Sequence, residues 1–276
     1  MTGQYTPEKK MFFVSQATKN KLVTISAMSQ EVPQNVMVKG LQGCGKSELA
    51  EQFAAAMGRP FMAFEVGLFN EAGQWTGTNT LREGNVVFQK SGFLEAISTQ
   101  NCVILLDELN RAETPKALNA LFSVLDDNRK VWVDELKRWV HVSRGVVFFA
   151  TVNEGTEFVG TDFLDKALND RFYYIEMQII PPEQEAILLV NRTGISLQQA
   201  KELVAMFTKV RSAGYAISTR KAINVAKLIT GGLGTKDAIE FALGMDKDTL
   251  ERILLAVHLF SDIENSPTKD AWVELN

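Results

Sequence analysis

The stretch Val36-Met37-Val38-Lys39-Gly40-Leu41-Gln42-Gly43-Cys44-Gly45-Lys46-Ser47-Glu48-Leu49 has the residue types and spacing to hold an oligophosphate. It reads as a short apolar strand, a glycine-rich turn and an amphipathic helix. In the pattern Gly-x-x-x-x-Gly-Lys-Ser, backbone N–H groups close on phosphate oxygens and the helix N-terminus adds its dipole. Gly40, Gln42, Gly43, Cys44, Gly45 and Glu48 form the turn and its first helical residues. Lys46 would neutralise terminal phosphates, and the Ser47 hydroxyl would join a Mg²⁺ shell. The competing reading, an ordinary βα turn, does not account for the Lys-Ser pair at the helix start.

Four further strings could complete such a site. Val103-Ile104-Leu105-Leu106-Asp107-Glu108 is an aliphatic run ending in two acids. A buried parallel strand reads this way, and ligands bind at its carboxyl end. Asp107 would orient Mg²⁺, and Glu108 would polarise the water that attacks the γ-phosphate. Phe148-Phe149-Ala150-Thr151-Val152-Asn153 ends in an amide, either a water-positioning group or the start of a turn. Arg171 follows Asp170 and precedes an apolar run. It is either a local ion-pair partner of Asp170 or Asp165, or a finger reaching a neighbouring subunit's γ-phosphate. In Ser218-Thr219-Arg220, Ser218 or Thr219 can cap a helix, while Arg220 opposes the dipole unless an anion lies close.

These residues need a scaffold that brings strand ends together. Apolar runs at 36–39, 61–66, 102–106, 146–152 and 172–177 predict five core strands alternating with helices, hence a parallel sheet covered on both faces. After Pro181-Pro182 the period becomes helical at 183–190, 196–213, 219–230, 235–243 and 247–260. This predicts an α/β nucleotide domain over 1–181, a helical domain over 182–263 and a polar tail over 264–276. Two segments break the rhythm, 73–93 and 132–142, and each reads as a hairpin suited to contacts outside the domain.

Composition removes other classes. The chain has 276 residues and a net charge of −4, so no general basic surface marks it for nucleic acid. Two cysteines, Cys44 and Cys102, and two histidines make neither a disulfide scaffold nor a zinc cluster. Both cysteines are expected in or beside the nucleotide site, and Cys44, at a helix N-terminus, is expected to have a lowered pKa and to alkylate easily. No apolar run reaches membrane-spanning length and the start is not a signal peptide, so a cytoplasmic protein is expected.

The series Gly40–Ser47, Asp107-Glu108, Asn153, Arg171 and Arg220 resembles the Walker A, Walker B, sensor 1, arginine finger and sensor 2 motifs of AAA+ ATPases. Leu106-Asp107-Glu108-Leu109-Asn110-Arg111-Ala112 resembles the Asp-Glu-x-Asn-Arg-Ala signature of the MoxR family, and Ser91-Gly92-Phe93-Leu94-Glu95-Ala96 its Gly-Pro-Leu segment. Ser218-Thr219-Arg220 is similar to the CbbQ/NorQ and GvpN branch. The resemblance implies sheet order 5-1-4-3-2, a helix-2 insert at 73–93, a pre-sensor hairpin at 132–142 and a C-terminal helical lid. It also implies a ring, usually hexameric, with ATP and Mg²⁺ between subunits. Arg171 then acts in trans, Arg220 in cis, and Asn110 and Arg111 relay between subunits. The loop departs from the usual Gly-Pro-Pro-Gly-Thr-Gly, and Phe93 replaces a common Pro.

The function this implies is Mg²⁺-dependent ATP hydrolysis by a homo-oligomeric ring that remodels or activates a protein client. With no von Willebrand domain in the chain, such a domain could come from a separate partner. The alternatives are a nucleic-acid motor, with Lys130, Lys137 and Arg138 tracking phosphates, and a slow nucleotide-gated assembly module. ATP is expected with its base near Phe12 and Val14.

Overall fold

The computed structural model describes residues 5–112, 115–153, 166–244, 248, 255 and 271–275. In chain order the first elements are β1 (Phe13–Ser15), α1 (Gln16–Met28), β2 (Gln34–Gly40), α2 (Lys46–Ala56), β3 (Phe61–Glu65), β4 (Gly77–Arg82) and β5 (Asn85–Lys90). Next come α3 (Gly92–Ile97), β6 (Val103–Asp107), α4 (Asn119–Leu125), β7 (Lys130–Val133), β8 (Arg138–His141), β9 (Val147–Asn153), α5 (Lys166–Asn169) and β10 (Tyr173–Met177). The series closes with α6 (Pro182–Thr193), α7 (Leu197–Ser212), α8 (Thr219–Thr230), α9 (Thr235–Leu243) and β11 (Trp272–Glu274).

The five anticipated strands form one sheet in the order β10-β2-β9-β6-β3, all pairs parallel. In order of appearance this is 5-1-4-3-2, as the resemblance implied. The aliphatic runs are two-sided. Val103 and Leu105 of β6 join a core with α1 and α2, while Ile104 and Leu106 face a second core containing Trp75, Phe93 and Leu121. Strand β9 divides its side chains the same way, with Phe149 against Phe53 of α2 and Phe148 towards Phe93. Burial on both faces explains why these strands lack polar alternation.

Local signals set the element ends. Ser15, Ser91, Ser196 and Ser218 each accept a backbone N–H in the first turn of the following helix. Helix α6 starts at Pro182 and stops at Gly194, whose φ of 74° supplies the left-handed cap. Both inserts are antiparallel hairpins, β4–β5 and β7–β8. The first turns at Glu83 and Gly84, both at positive φ.

Helices α6 to α9 enclose their own core, centred on Leu189, Leu203, Val204, Phe207 and Val225. Inside it, fully buried Glu185 accepts from Arg211 through both oxygens, at 2.7 and 2.8 Å. The helix anticipated over 247–260 lies almost wholly outside the described residues. The expected polar tail is corrected at its end. Trp272–Glu274 pairs with β1, and Leu275 is buried beside Phe12. Its apolar residues Val273 and Leu275 are too few to give a periodic signal, and their partners lie more than 250 positions away in the chain.

Removing one member of a buried ion pair leaves a desolvated charge. Glu185→Ala should therefore destabilise the chain by about 3–5 kcal/mol, with Arg211→Ala similar and the double variant costing less than the sum. Denaturant unfolding checks this; additive losses would rule out the coupling.

Candidate functional site

Strands β2, β6 and β9 end together at the carboxyl edge of the sheet, where Gly40 is in register with Asn153. The turn after β2 departs at Gly40 (φ 147°) and passes Gly43 (φ 75°) and Gly45 (φ 94°) before α2 begins. At Gly43 a Cβ would stand 2.6 Å from Ser218 Oγ, so only glycine lets the cap of α8 sit on the loop. The Arg220 backbone N–H donates to Gly43 O at 3.4 Å. Loop and helical domain therefore touch directly.

A cleft of about 640 Å³ opens there. Its polar lining comes from Gln42, Gly43, Cys44, Gly45, Lys46, Ser47, Asp107, Glu108, Arg111, Thr151 and Arg220. Its apolar lining comes from Phe12, Phe13, Ile180, Leu188 and Ile223. Lys46 is buried and donates to Gly40 O (2.8 Å) and Leu41 O (2.9 Å). Burial lowers its pKa, partly offset by Cys44, Asp107 and Glu108. An ammonium has three donors, so it can also serve a phosphate.

Asp107 is the hub of the polar lining. Ser47 Oγ donates to its two oxygens at 2.8 and 3.0 Å, and Thr151 Oγ1 donates to Oδ1. Thr151 in turn accepts the Glu108 N–H at 2.9 Å. A hydroxyl and a carboxylate side by side are hard oxygen donors of the kind Mg²⁺ takes. Glu108 itself is left-handed (φ 55°, ψ 51°), a strained state for a non-glycine residue and one that gathers at functional sites. Its carboxylate pairs with Arg111 at 2.8 Å.

Not all anticipated residues meet in this cleft. Asn153 ends β9 beside the loop, but its side chain lies outside the described residues, as does Asp165. Arg171 does not line the cleft. Its guanidinium donates to Ala167 O and lies 5.3 Å from the Phe122 ring, while its own carbonyl is held by buried Asn35 at 2.8 Å. Four residues that the sequence did not single out also contribute. Thr151 lies two positions before Asn153 on β9 and bonds both Asp107 and the Glu108 N–H. Arg192 pairs with Glu48 of the loop helix and donates to Met11 O at 2.9 Å. Ile180 and Leu188 also line the cleft.

Cys44 lines the cleft, but its expected lowered pKa and the placing of Cys102 beside the site are overturned. Burial pushes the Cys44 thiol up, outweighing Lys46 and the backbone N–H groups that would lower it. Cys102 is at the opposite end of β6 from Asp107, about 16 Å away at strand rise, and burial takes its thiol to about 12. The two sit in different cores and are free.

Strand order, loop and acid pair define a P-loop nucleotide-binding protein. Residues 35–172 match the AAA domain (dynein-related subfamily), and residues 185–253 match the CbbQ/NirQ/NorQ C-terminal family. The "Putative chaperone BssE" of Thauera aromatica is 43% identical over 251 residues, covering 90% of this chain and 87% of that protein. NorQ of Paracoccus denitrificans is 24% identical, covering 79% and 81%. A RuvB mutant of Thermotoga maritima superposes with a TM-score of 0.51 at 15% identity over 91% of this chain and 89% of that one, a likeness of fold. The chain belongs to the MoxR-type AAA+ ATPases of the CbbQ/NirQ/NorQ branch. Among the described residues, no helix is long and apolar enough to cross a membrane.

A raised thiol pKa means less thiolate at a given pH and slower alkylation. At pH 8 the Cys102 thiolate is about one part in ten thousand. Folded protein should therefore react slowly with iodoacetamide at both cysteines and rapidly once denatured. Mass spectrometry of labelled peptides checks this; fast native labelling of Cys44 would restore the helix-dipole expectation.

Proposed function

We propose that the chain hydrolyses ATP with Mg²⁺ in a homo-oligomeric ring, of hexameric type, and uses the cycle to remodel or activate a protein client. The observation that carries this reading is the Ser47–Asp107–Thr151–Glu108 hydrogen-bond series beside the glycine loop. The cleft, with both polar and apolar lining, suits a nucleotide. Backbone N–H groups from Gly43 to Ser47 hold the phosphates, with Lys46 neutralising them. Ser47 and Asp107 hold Mg²⁺, which supplies charge neutralisation of the phosphate oxygens when bound. The base lies against Phe12 and Phe13, opposite Ile180 and Leu188.

Glu108 orients the attacking water and takes its proton as the new P–O bond forms and the bond to ADP breaks. Asn153, at the adjacent strand end, positions the same water. Arg111 restrains the Glu108 carboxylate, so this ion pair parts, or shifts, as the site becomes active. Arg220 serves the phosphates in cis through the helical domain. Arg171, outside its own cleft, serves the neighbour's γ-phosphate. The client reading is supported by similarity to a protein described as a chaperone. Nucleic-acid tracking by the β7–β8 hairpin has less support, since Lys137 pairs with Asp134 (3.4 Å) and Lys130 stacks on Trp139 (4.8 Å). A separate von Willebrand-type partner would supply client recognition.

Steady-state ATPase assays over a range of protein concentration test the shared site. Rate per subunit should rise with concentration, and Glu108→Gln and Arg171→Ala should lose at least about 100-fold. Full activity in Arg171→Ala, or a flat rate down to monomeric concentrations, would end the trans assignment. Thr151→Val should lower turnover about 10–100-fold while nucleotide still binds; wild-type turnover would show that Asp107 needs no such support.

A further inference from the structure

Strand β11 comes from the far end of the chain to the segment that lines the nucleotide cleft. It pairs antiparallel with β1, Phe13 opposite Glu274, Val14 opposite Val273 and Ser15 opposite Trp272. Beyond the ladder, the Leu275 N–H donates to Phe12 O at 2.9 Å, and the Gln16 N–H donates to Ala271 O at 2.7 Å. Lys19 Nζ donates to Glu274 O at 3.1 Å. The Leu275 side chain is 5% exposed and shares a core with Phe12, Val14, Cys44 and Leu49. A ladder of three pairs is marginal alone, so this buried leucine is its anchor.

Phe12 is what the clamp holds. A Cβ on Gly45 would lie 3.2 Å from its ring, so the ring packs on the phosphate loop. Phe12 and Phe13 also belong to the apolar lining of the cleft. On the other side, Met11 O accepts from Arg192 of α6, which also pairs with Glu48. Residues 11–13 are thus held between β11 and the helical domain. Left loose, they would have to be ordered on each binding event, which weakens affinity.

We propose that β11 and Leu275 are positioning elements of the nucleotide site, fixing Phe12 and Phe13 against the loop and so setting affinity and selectivity for the nucleotide base. This rests on the ATP reading above. Bond and packing can be separated. Leu275→Pro removes the N–H and keeps an apolar ring, while Leu275→Ala keeps the N–H and removes the anchor.

The experiment is fluorescence titration of the full chain with methylanthraniloyl-ATP and its guanine counterpart, alongside steady-state kinetics. Both variants should bind the adenine nucleotide about 5–10-fold more weakly, the tenfold case being 1.4 kcal/mol. The loss should fall on KM rather than kcat, and the adenine-to-guanine preference should narrow. Phe12→Leu should act non-additively with Leu275→Ala. Ile97→Ala, buried in the other core, should lower melting temperature without changing affinity. Folded Leu275 variants with wild-type affinity and selectivity would overturn the proposal, as would an equal affinity loss in Ile97→Ala. Should the Leu275 variants not fold, Lys19→Ala carries the test, with about twofold weaker binding expected and unchanged binding counting against the clamp. A wild-type chain that bound neither nucleotide would overturn the ATP reading itself, a different result from tight binding that ignores β11.

Discussion

A carboxylate at the edge of an apolar sheet has to be satisfied by hydrogen bonds, and the arrangement around Asp107 follows from that requirement. Its donors come from two other elements, Ser47 at the start of α2 and Thr151 near the end of β9. Thr151 reaches it because β9 is the strand beside β6, and β2, which leads into the loop and Ser47, lies on the other side of β9. Thr151 then takes the Glu108 N–H as well, so one hydroxyl joins the two acids. The left-handed turn at Glu108 sends its carboxylate back over the cleft, where Arg111 meets it. Strand order and loop position thus bring donors from two elements onto one half-buried carboxylate.

The helical domain completes the cleft without sharing the sheet's cores. Its apolar residues form a separate cluster closed by the Glu185–Arg211 pair. It meets the α/β part through polar and backbone contacts. Ser218 rests on Gly43, the Arg220 N–H reaches Gly43 O, and Arg192 spans Glu48 and Met11. Contacts of this kind are remade more readily than a packed core, which suits an element coupled to the state of the phosphates.

What could be read in the sequence was local or carried by motif. The five strands, the phosphate loop and the two hairpins each announce themselves within about ten residues, and the family likeness supplied the sheet order. Boundaries moved by one or two residues where turns compete with strands, as at β7 and β10. The misses were long-range. Strand β11 pairs with a partner at the opposite end of the chain. Arg192 becomes significant only once α6 lies beside α2. Thr151 was hidden because a hydroxyl on a buried strand usually satisfies itself locally. Cys44 was misread because proximity to a helix N-terminus is visible in sequence whereas burial is not, and burial decides its protonation.

The β7–β8 hairpin places Trp132 directly opposite Trp139, ring centroids 5.5 Å apart and planes at 67°. Two indoles so close couple their electronic transitions, giving an exciton couplet in the ultraviolet circular dichroism. A slip of one residue would set Trp139 against Val131 or Val133 and turn an indole towards the core. The hairpin therefore carries its own optical label, one that reports strand register rather than secondary-structure content.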